Sequence, residues 1–287
     1  MGCCCSRDTQ HAAAMKKKSA WGDALKANRL HVEKWVHAEK VALVRDVDGH
    51  AHICKYSKYE NLEFAIMHDF FFDLFRPKTL TPTMFMYAYI PGMDLYDWVK
   101  VGNAVNIEEL ALSLGTAIEF LHGHGIVHFD VKPENVVMHD NGRRPVLIDF
   151  EFADERSQWK ENPYHGIRMN EKKGTMGYIS PEMTLYGVGS PMCDVWSFGI
   201  TLVTVLTRTL FFDRDADCEC EMRLMLDDGC TDEVQDDCYN RIRRYGYPLG
   251  FARGLSSLVC WEPDHRPTIR RFLRHLRGPT PETMPRS

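Results

Sequence analysis

The chain of 287 residues carries 35 Lys and Arg against 40 Asp and Glu, a formal net charge of −5, with 44% hydrophobic and 26% charged residues. This composition supports a packed core and argues against a disordered chain; with no basic excess, it also argues against nucleic acid as a partner. Ten cysteines over this length do not make a disulfide scaffold, and no apolar run approaches the ~20 residues of a bilayer span.

No apolar stretch of a secretory signal follows the start, so a reducing, cytoplasmic compartment is expected. Residues 1–30 read as a flexible tail with three signals. Met1-Gly2-Cys3-Cys4-Cys5-Ser6 fits the pattern for N-myristoylation at Gly2. Cys3, Cys4 and Cys5 are candidates for S-palmitoylation, and Lys16-Lys17-Lys18 could meet anionic lipid. One acyl chain holds a protein to a membrane only marginally, so a second signal is what a stable anchor requires. The expectation is a peripheral, lipid-anchored protein on the cytoplasmic leaflet.

Residues 31–277 read as the folded region. Val41-Ala-Leu-Val44 predicts a strand, Asp48-Gly49 a hairpin turn and His52-Ile-Cys-Lys55 the returning strand. Glu60 to Leu74 has helical spacing, with Pro77 just beyond. Met84 to Ile90 predicts a buried strand stopped by Pro91-Gly92. Beyond it the pattern is mainly helical. Ile107 to His122, Asp194 to Leu206 and Pro267 to Leu276 are expected helices, and Ile126 to Phe152 is a strand-loop-strand region. Ala153 to Tyr178 is a long polar stretch. Asp213 to Cys238 reads as a solvated acidic insert; its cysteines fit no common zinc spacing. Residues 278–287, with three prolines, read as a C-terminal tail.

The segment Gly125-Ile-Val-His-Phe-Asp-Val-Lys-Pro-Glu-Asn135 resembles the catalytic loop of eukaryotic protein kinases, H-R-D-L-K-x-x-N. Further motifs follow in the family's order. Val146-Leu-Ile-Asp-Phe-Glu151 is similar to the strand and D-F-G, Gly174 to Glu182 to the end of the activation segment, Asp194-Val-Trp-Ser-Phe-Gly199 to the start of the buried anchoring helix, and His265-Arg-Pro-Thr268 to the late Arg motif. The resemblance covers roughly residues 35 to 277. It implies an α+β, bilobal protein-kinase-like fold, with a small β-rich N-lobe (about 31–90), a larger α-helical C-lobe (about 91–277) and ATP between them.

In the residues of this chain, the resemblance implies Asp130 as catalytic base, Lys132 at the transferred phosphoryl, and Asn135 and Asp149 as Mg²⁺ ligands. Lys55 would hold the ATP phosphates, paired with Glu63 or alternatively Glu60. Val41, Ala88, Ile90 and Asp94 would line the nucleotide site. Glu182 and Arg266 would form a buried ion pair, with Asp194 a structural anchor. Lys132, in the Asp-x-Lys spacing, and Thr175 point to Ser/Thr protein substrates; the oligomeric state stays open.

Three departures stand out. No glycine occupies Lys34 to Lys40, where a phosphate loop belongs. Phe129 replaces the Arg of H-R-D, which commonly receives an activation-loop phosphate, so a constitutively competent loop is expected. Glu151 replaces the Gly of D-F-G. The resemblance extends more weakly to compact virus-encoded Ser/Thr kinases. A catalytically weak or inactive scaffold at a membrane is the alternative reading, and a small-molecule kinase a further one.

Overall fold

A computed structural model describes residues 21–37, 40–56, 62–212, 218–229 and 231–277. The chain divides into two compact units at Ile90–Pro91.

The first unit contains helix α1 (21–27), strands β1 (His31–His37), β2 (Val41–Arg45) and β3 (Ala51–Tyr56), helix α2 (Leu62–Phe75), and strands β4 (Lys78–Thr81) and β5 (Met84–Ala88). The strands form one antiparallel sheet in the order β1-β2-β3-β5-β4. Lys55 sits opposite Val41 on one side and Phe85 on the other. Side chains alternate along a strand, so Lys55, Ile53, Val41, Leu43, Phe85 and Tyr87 share a face. Helix α2 covers that face: Phe64 meets Phe85 at 5.9 Å and Phe75 meets Tyr87 at 5.7 Å. The opposite face presents Ala42, Val44, Cys54 and Met84, which pack with Trp21, Ala24 and Leu30. Residues 21–30, expected within a tail, therefore belong to the core of this unit. Two buried residues three apart, Trp21 and Ala24, give α1 its inward stripe.

The Asp48-Gly49 turn forms as expected. Gly49 has φ of 85°, its N–H donates to Asp46 O at 3.1 Å, and the Asp46 carboxylate accepts from the N–H groups of Asp48 and His50.

The second unit opens with β6 (Met93–Asp94), α3 (Leu95–Lys100) and α4 (Ile107–Gly123). The Asn106 side chain caps α4, accepting from the N–H groups of Glu108 and Glu109. β7 (Ile126–Val127), β8 (Val136–Met138), the short α5 (His139–Gly142) and β9 (Arg144–Leu147) follow. β6-β8-β9 make a small antiparallel sheet.

The polar stretch 153–178 is more structured than its composition suggests. β10 (Asp154–Glu155) pairs with β7, α6 (Ser157–Glu161) follows, and β11 (Ile167–Arg168) pairs with β12 (Val188–Gly189). α7 (Pro181–Tyr186) lies between β11 and β12.

α8 (Pro191–Thr207) is the axis of the unit. Ser190 caps it, Pro191 fits its first turn, and it is buried all round from Pro191 to Val205. Gly199 permits the close approach of Leu258 and Val259; a Cβ there would stand 2.8 Å from the Val259 side chain. The acidic stretch is not a loose insert where it is described. It contributes α9 (Cys218–Asp227) and α10 (Thr231–Arg244), the latter burying Val234, Cys238 and Ile242. α11 (Leu249–Ser256) and α12 (Ile269–Arg277) close the unit, and Phe272 of α12 meets Phe198 of α8 edge-on at 5.9 Å. Among the described residues, no helix is long and apolar enough to cross a membrane.

Candidate active site

The site grows from the loop between β7 and β8. Asp194, in the first turn of α8, is completely buried, and its carboxylate reaches back to this loop. Oδ2 accepts from the His128 N–H at 2.8 Å, Oδ1 accepts from the Phe129 N–H at 2.7 Å, and His122 Nε2 lies 3.0 Å from Oδ2. A buried carboxylate needs such donors. His122 is thus part of this anchor. It lies in the last turn of α4, and nothing in its local sequence pointed to a partner 72 residues on.

His128 is wholly buried. Its Nε2 faces the Ile148 carbonyl at 3.1 Å, which can only accept, so the ring proton sits on Nε2. Nδ1 then accepts from the Asp130 N–H at 3.2 Å. Phe129 takes a left-handed φ of 64° and Asp149 one of 66°. For residues with a side chain this costs about 1–3 kcal/mol each, and such strain gathers at functional sites. Here it falls on Asp149 itself and on the neighbour of Asp130; Arg29, Arg76, Asp140, Asn141 and Arg208 take positive φ elsewhere.

Asp130, 4% exposed, stands at the centre of a polar network. Lys132 Nζ donates to Oδ2 at 2.8 Å. Asn135 Nδ2 donates both to Oδ2 at 2.8 Å and to the Asp130 carbonyl at 2.9 Å. With its amide hydrogens turned this way, the oxygen is the acceptor end of Asn135. The Thr175 hydroxyl donates to Asp130 Oδ1 at 2.6 Å and accepts from Lys132 Nζ at 2.5 Å. So Asp130, Lys132 and Asn135 meet in one place, as their spacing suggested. Thr175, read from the sequence only as a mark of substrate class, touches two of them.

Asp149 stands two residues beyond the end of β9, after Ile148, and the ring of Phe150, 2% exposed, packs on His128 at 5.0 Å. The next residue, Glu151, is exposed and is not among the residues with positive φ. The backbone therefore makes no demand for glycine there; the left-handed position is Asp149. A carboxylate and an amide oxygen are hard donors, the protein share that suits a divalent cation keeping water and phosphate as its other ligands.

In the first unit, Lys55 Nζ donates to Glu63 Oε1 at 2.7 Å, both residues being 7% exposed. The register explains the pair: Lys55 lies on the sheet face that α2 covers, and Glu63 lies in the first turn of α2. Glu63 is thus the partner seen; Glu60 lies outside the described residues. Val41, opposite Lys55, is half-buried on the same face. Ala88 ends β5 opposite His52, and Ile90 is half-buried at the end of this unit. Lys34 to His37 lie in β1, where His37 pairs with Val41; residues 38 and 39 lie outside the described residues.

Asp94, in the second unit, acts as the cap of α3, its Oδ1 accepting from the Asp97 N–H at 2.8 Å. Burial raises its carboxyl pKa, and the charges of Asp97 and Glu134 push the same way.

Glu182 and Arg266 form the expected buried pair. Nη1 donates to Oε1 at 2.8 Å and Nη2 to Oε2 at 2.9 Å. Gly2, Cys3, Cys4 and Cys5 lie outside the described residues.

A sequence profile described as the protein kinase domain matches residues 3–276. The chain is 26% identical over 284 residues to the liver/testis gamma catalytic chain of phosphorylase b kinase from Mus musculus, covering 95% of this chain and 61% of that protein. It is 32% identical over 206 residues to the serine/threonine-protein kinase SBK1 of Mus musculus, covering 67% of this chain and 46% of the relative. Among solved structures, the kinase PK-1 of Cydia pomonella granulovirus superposes with a TM-score of 0.63 at 20% identity, covering 90% of this chain and 98% of that one. The chain spans between 30% and 61% of the length of these curated kinase relatives and a plant protein kinase and PP2C-like domain-containing protein. The matched profile, the viral neighbour's fold and the order of the motifs agree: this chain belongs to the protein kinase domain family.

Proposed function

We propose that the protein transfers the γ-phosphoryl group of ATP to Ser and Thr hydroxyls of protein substrates. The observation that carries this reading is the Thr175 hydroxyl 2.6 Å from Asp130 Oδ1, with Lys132 bridging the two. A hydroxyl can thus hydrogen-bond to Asp130 in a largely buried site, as a substrate hydroxyl must. Asp130 would orient that hydroxyl and accept its proton, and Lys132 would offset the charge that develops on the phosphoryl oxygens. Such transfer is mostly positioning and electrostatics, and the anchoring of the loop by Asp194 supplies the positioning. Asn135 and Asp149 would hold Mg²⁺, which supplies charge neutralisation at the phosphates when bound. Lys55, held by Glu63, would bind the ATP phosphates, and Val41, Ala88, Ile90 and Asp94 would line the nucleotide site.

Ser/Thr preference rests on the Asp-x-Lys spacing of Asp130 and Lys132, on Thr175, and on the Ser/Thr kinase relatives. We further propose that acylation at Gly2 and at Cys3, Cys4 or Cys5 holds the protein on the cytoplasmic leaflet. An inactive scaffold is the second reading, favoured by the absence of glycine from Lys34 to Lys40 and by Glu151.

Incubation with labelled Mg·ATP and basic Ser/Thr peptides, followed by phosphoamino-acid analysis, tests the activity. Phosphoserine or phosphothreonine is expected; phosphotyrosine alone would overturn the specificity, and no transfer by folded protein would leave the scaffold. Gly2→Ala is expected to move the protein from the membrane fraction to the soluble one, and an unchanged distribution would refute the anchor.

A further inference from the structure

The residue before Asp130 is the point where this chain departs most from the loop it resembles, and the structure shows what Phe129 touches. Its ring meets the indole of Trp159 at 5.9 Å, nearly perpendicular. Around them, Val127, Ile179, Met183 and Cys193 form a buried cluster, with Ile167 and Met169 packed against it. Three separate parts of the segment 153–180 therefore converge on the cluster that holds Phe129: α6 through Trp159, β11 and its flank through Ile167 and Met169, and the end through Ile179.

The approach of the segment is close. A Cβ on Gly174 would stand 2.7 Å from the Phe129 carbonyl oxygen, and Gly174 is followed directly by Thr175, which bonds Asp130. Gly189, paired with Ile167, leaves room for the Phe129 ring; a Cβ there would stand 2.9 Å from its tip. Trp159 itself is 1% exposed, and its Nε1 donates to the His165 carbonyl at 3.0 Å, so its one polar atom is satisfied in the slot. The cation near this ring is already engaged: Lys173 Nζ lies 5.4 Å from the Phe129 ring centre and 3.4 Å from Asp154 Oδ2.

We infer that Trp159 is a positioning residue for phosphoryl transfer: docked on Phe129, it fixes the segment that carries Thr175 and steadies Asp130 with no phosphate on that segment. An aromatic plug thus does the ordering that an Arg–phosphate contact would otherwise do. Its consequence for turnover rests on the kinase reading above; its consequence for the segment does not. Trp159 lies on a short helix in a polar stretch, and only the packing gives it a partner.

The experiment compares wild type, Trp159→Ala and Trp159→Phe. Backbone amide exchange over residues 167–180 is read by mass spectrometry, and kcat and KM for ATP by transfer to a basic peptide. Trp159→Ala is expected to speed exchange over 167–180 by about a hundredfold, while α8 stays protected. Its kcat is expected to fall about a hundredfold, with KM for ATP little changed. Trp159→Phe should recover most of both, and phosphatase treatment should leave wild-type turnover unaltered.

Unchanged exchange in Trp159→Ala would overturn the inference, whether or not the protein transfers phosphate. So would unchanged kcat, or a wild-type turnover that phosphatase abolishes. If the wild type shows no transfer yet Trp159→Ala loosens the segment, the kinase reading falls and the aromatic plug stands. Should Trp159→Ala fail to fold, Trp159→Phe decides: the inference requires it to fold with near-wild-type protection, and a fully exchanged segment would refute it.

Discussion

Arg266 offers a change whose size can be worked out from its bonds. A guanidinium has five N–H donors, and all five are used. Nε donates to the Cys260 carbonyl at 2.7 Å; Nη1 to Glu182 Oε1 at 2.8 Å and the Met192 carbonyl at 2.9 Å; Nη2 to Glu182 Oε2 at 2.9 Å and the Trp261 carbonyl at 2.7 Å. The cation also lies 5.1 Å from the centre of the Trp196 ring. One side chain thus ties α7, the first turn of α8 and the 260–261 loop together, at 1% exposure.

Glu182→Gln keeps the shape and removes the counter-charge, leaving a buried cation uncompensated. That costs about 3–5 kcal/mol, or about 6–20 °C of melting temperature for a chain of this size. Arg266→Lys keeps the charge but has three donors for five bonds. At least two acceptors lose a partner, at about 1–3 kcal/mol each. Urea unfolding followed by tryptophan fluorescence measures both variants. A loss below about 1 kcal/mol in Glu182→Gln would show that the charge pairing adds little here and would refute the reasoning.

Thr175→Val removes the hydroxyl that bridges Asp130 and Lys132 and is expected to lower kcat, while Thr175→Ser keeps the bridge and most of the rate; equal rates for Val and Ser would deny the bridge a role. The carboxyl of Asp46 is lowered from 3.8 to about 2, chiefly by the hydrogen bond to His52, with bonds from His50 and Asp48 adding to it. Its pKa is depressed by folding, so the stability it contributes is full above pH 3.8 and fades as pH falls towards 2. Asp46→Asn should therefore flatten the acid limb of the stability curve over that window, and an unaltered limb would count against the turn network. Burial pushes the Cys54 thiol up to about 12 and raises Cys193 and Cys238 as well, whereas Cys220 is exposed. Iodoacetamide on the native protein should label Cys220 and spare those three; rapid labelling of Cys54 would mean that its cover by Trp21 and Leu30 is not there.

Much of this was legible in the sequence because short-range chemistry wrote it there. Asp48-Gly49 specified a turn by the left-handed φ that Gly49 supplies. The run from Asp194 to Leu206 marked a buried helix, and the order of Asp130, Asn135 and Asp149 marked a catalytic loop. What escaped were contacts between distant segments. Trp21 and Leu30 looked like tail because nothing local shows that one face of the sheet needs a cover. His122 marked only a helix end because Asp194, its partner, is far along the chain. The stretch 153–178 showed only its polarity because β10 and β11 each hold two residues, too few to leave an alternating pattern. Phe129 was noticed as a missing Arg; that it is the hub of an apolar cluster is a property of its neighbours.

The most direct test of the central claim compares wild type with Asp130→Asn in transfer of labelled phosphate from Mg·ATP, both proteins first shown to be folded by their melting curves. Asn keeps the size of the side chain but replaces a carboxylate oxygen with an amide NH2, which cannot accept a proton from the substrate and faces the donors Lys132, Asn135 and Thr175. The account predicts that the variant's rate falls by about 10²–10⁴ while it stays folded. Transfer by Asp130→Asn at the wild-type rate would contradict it.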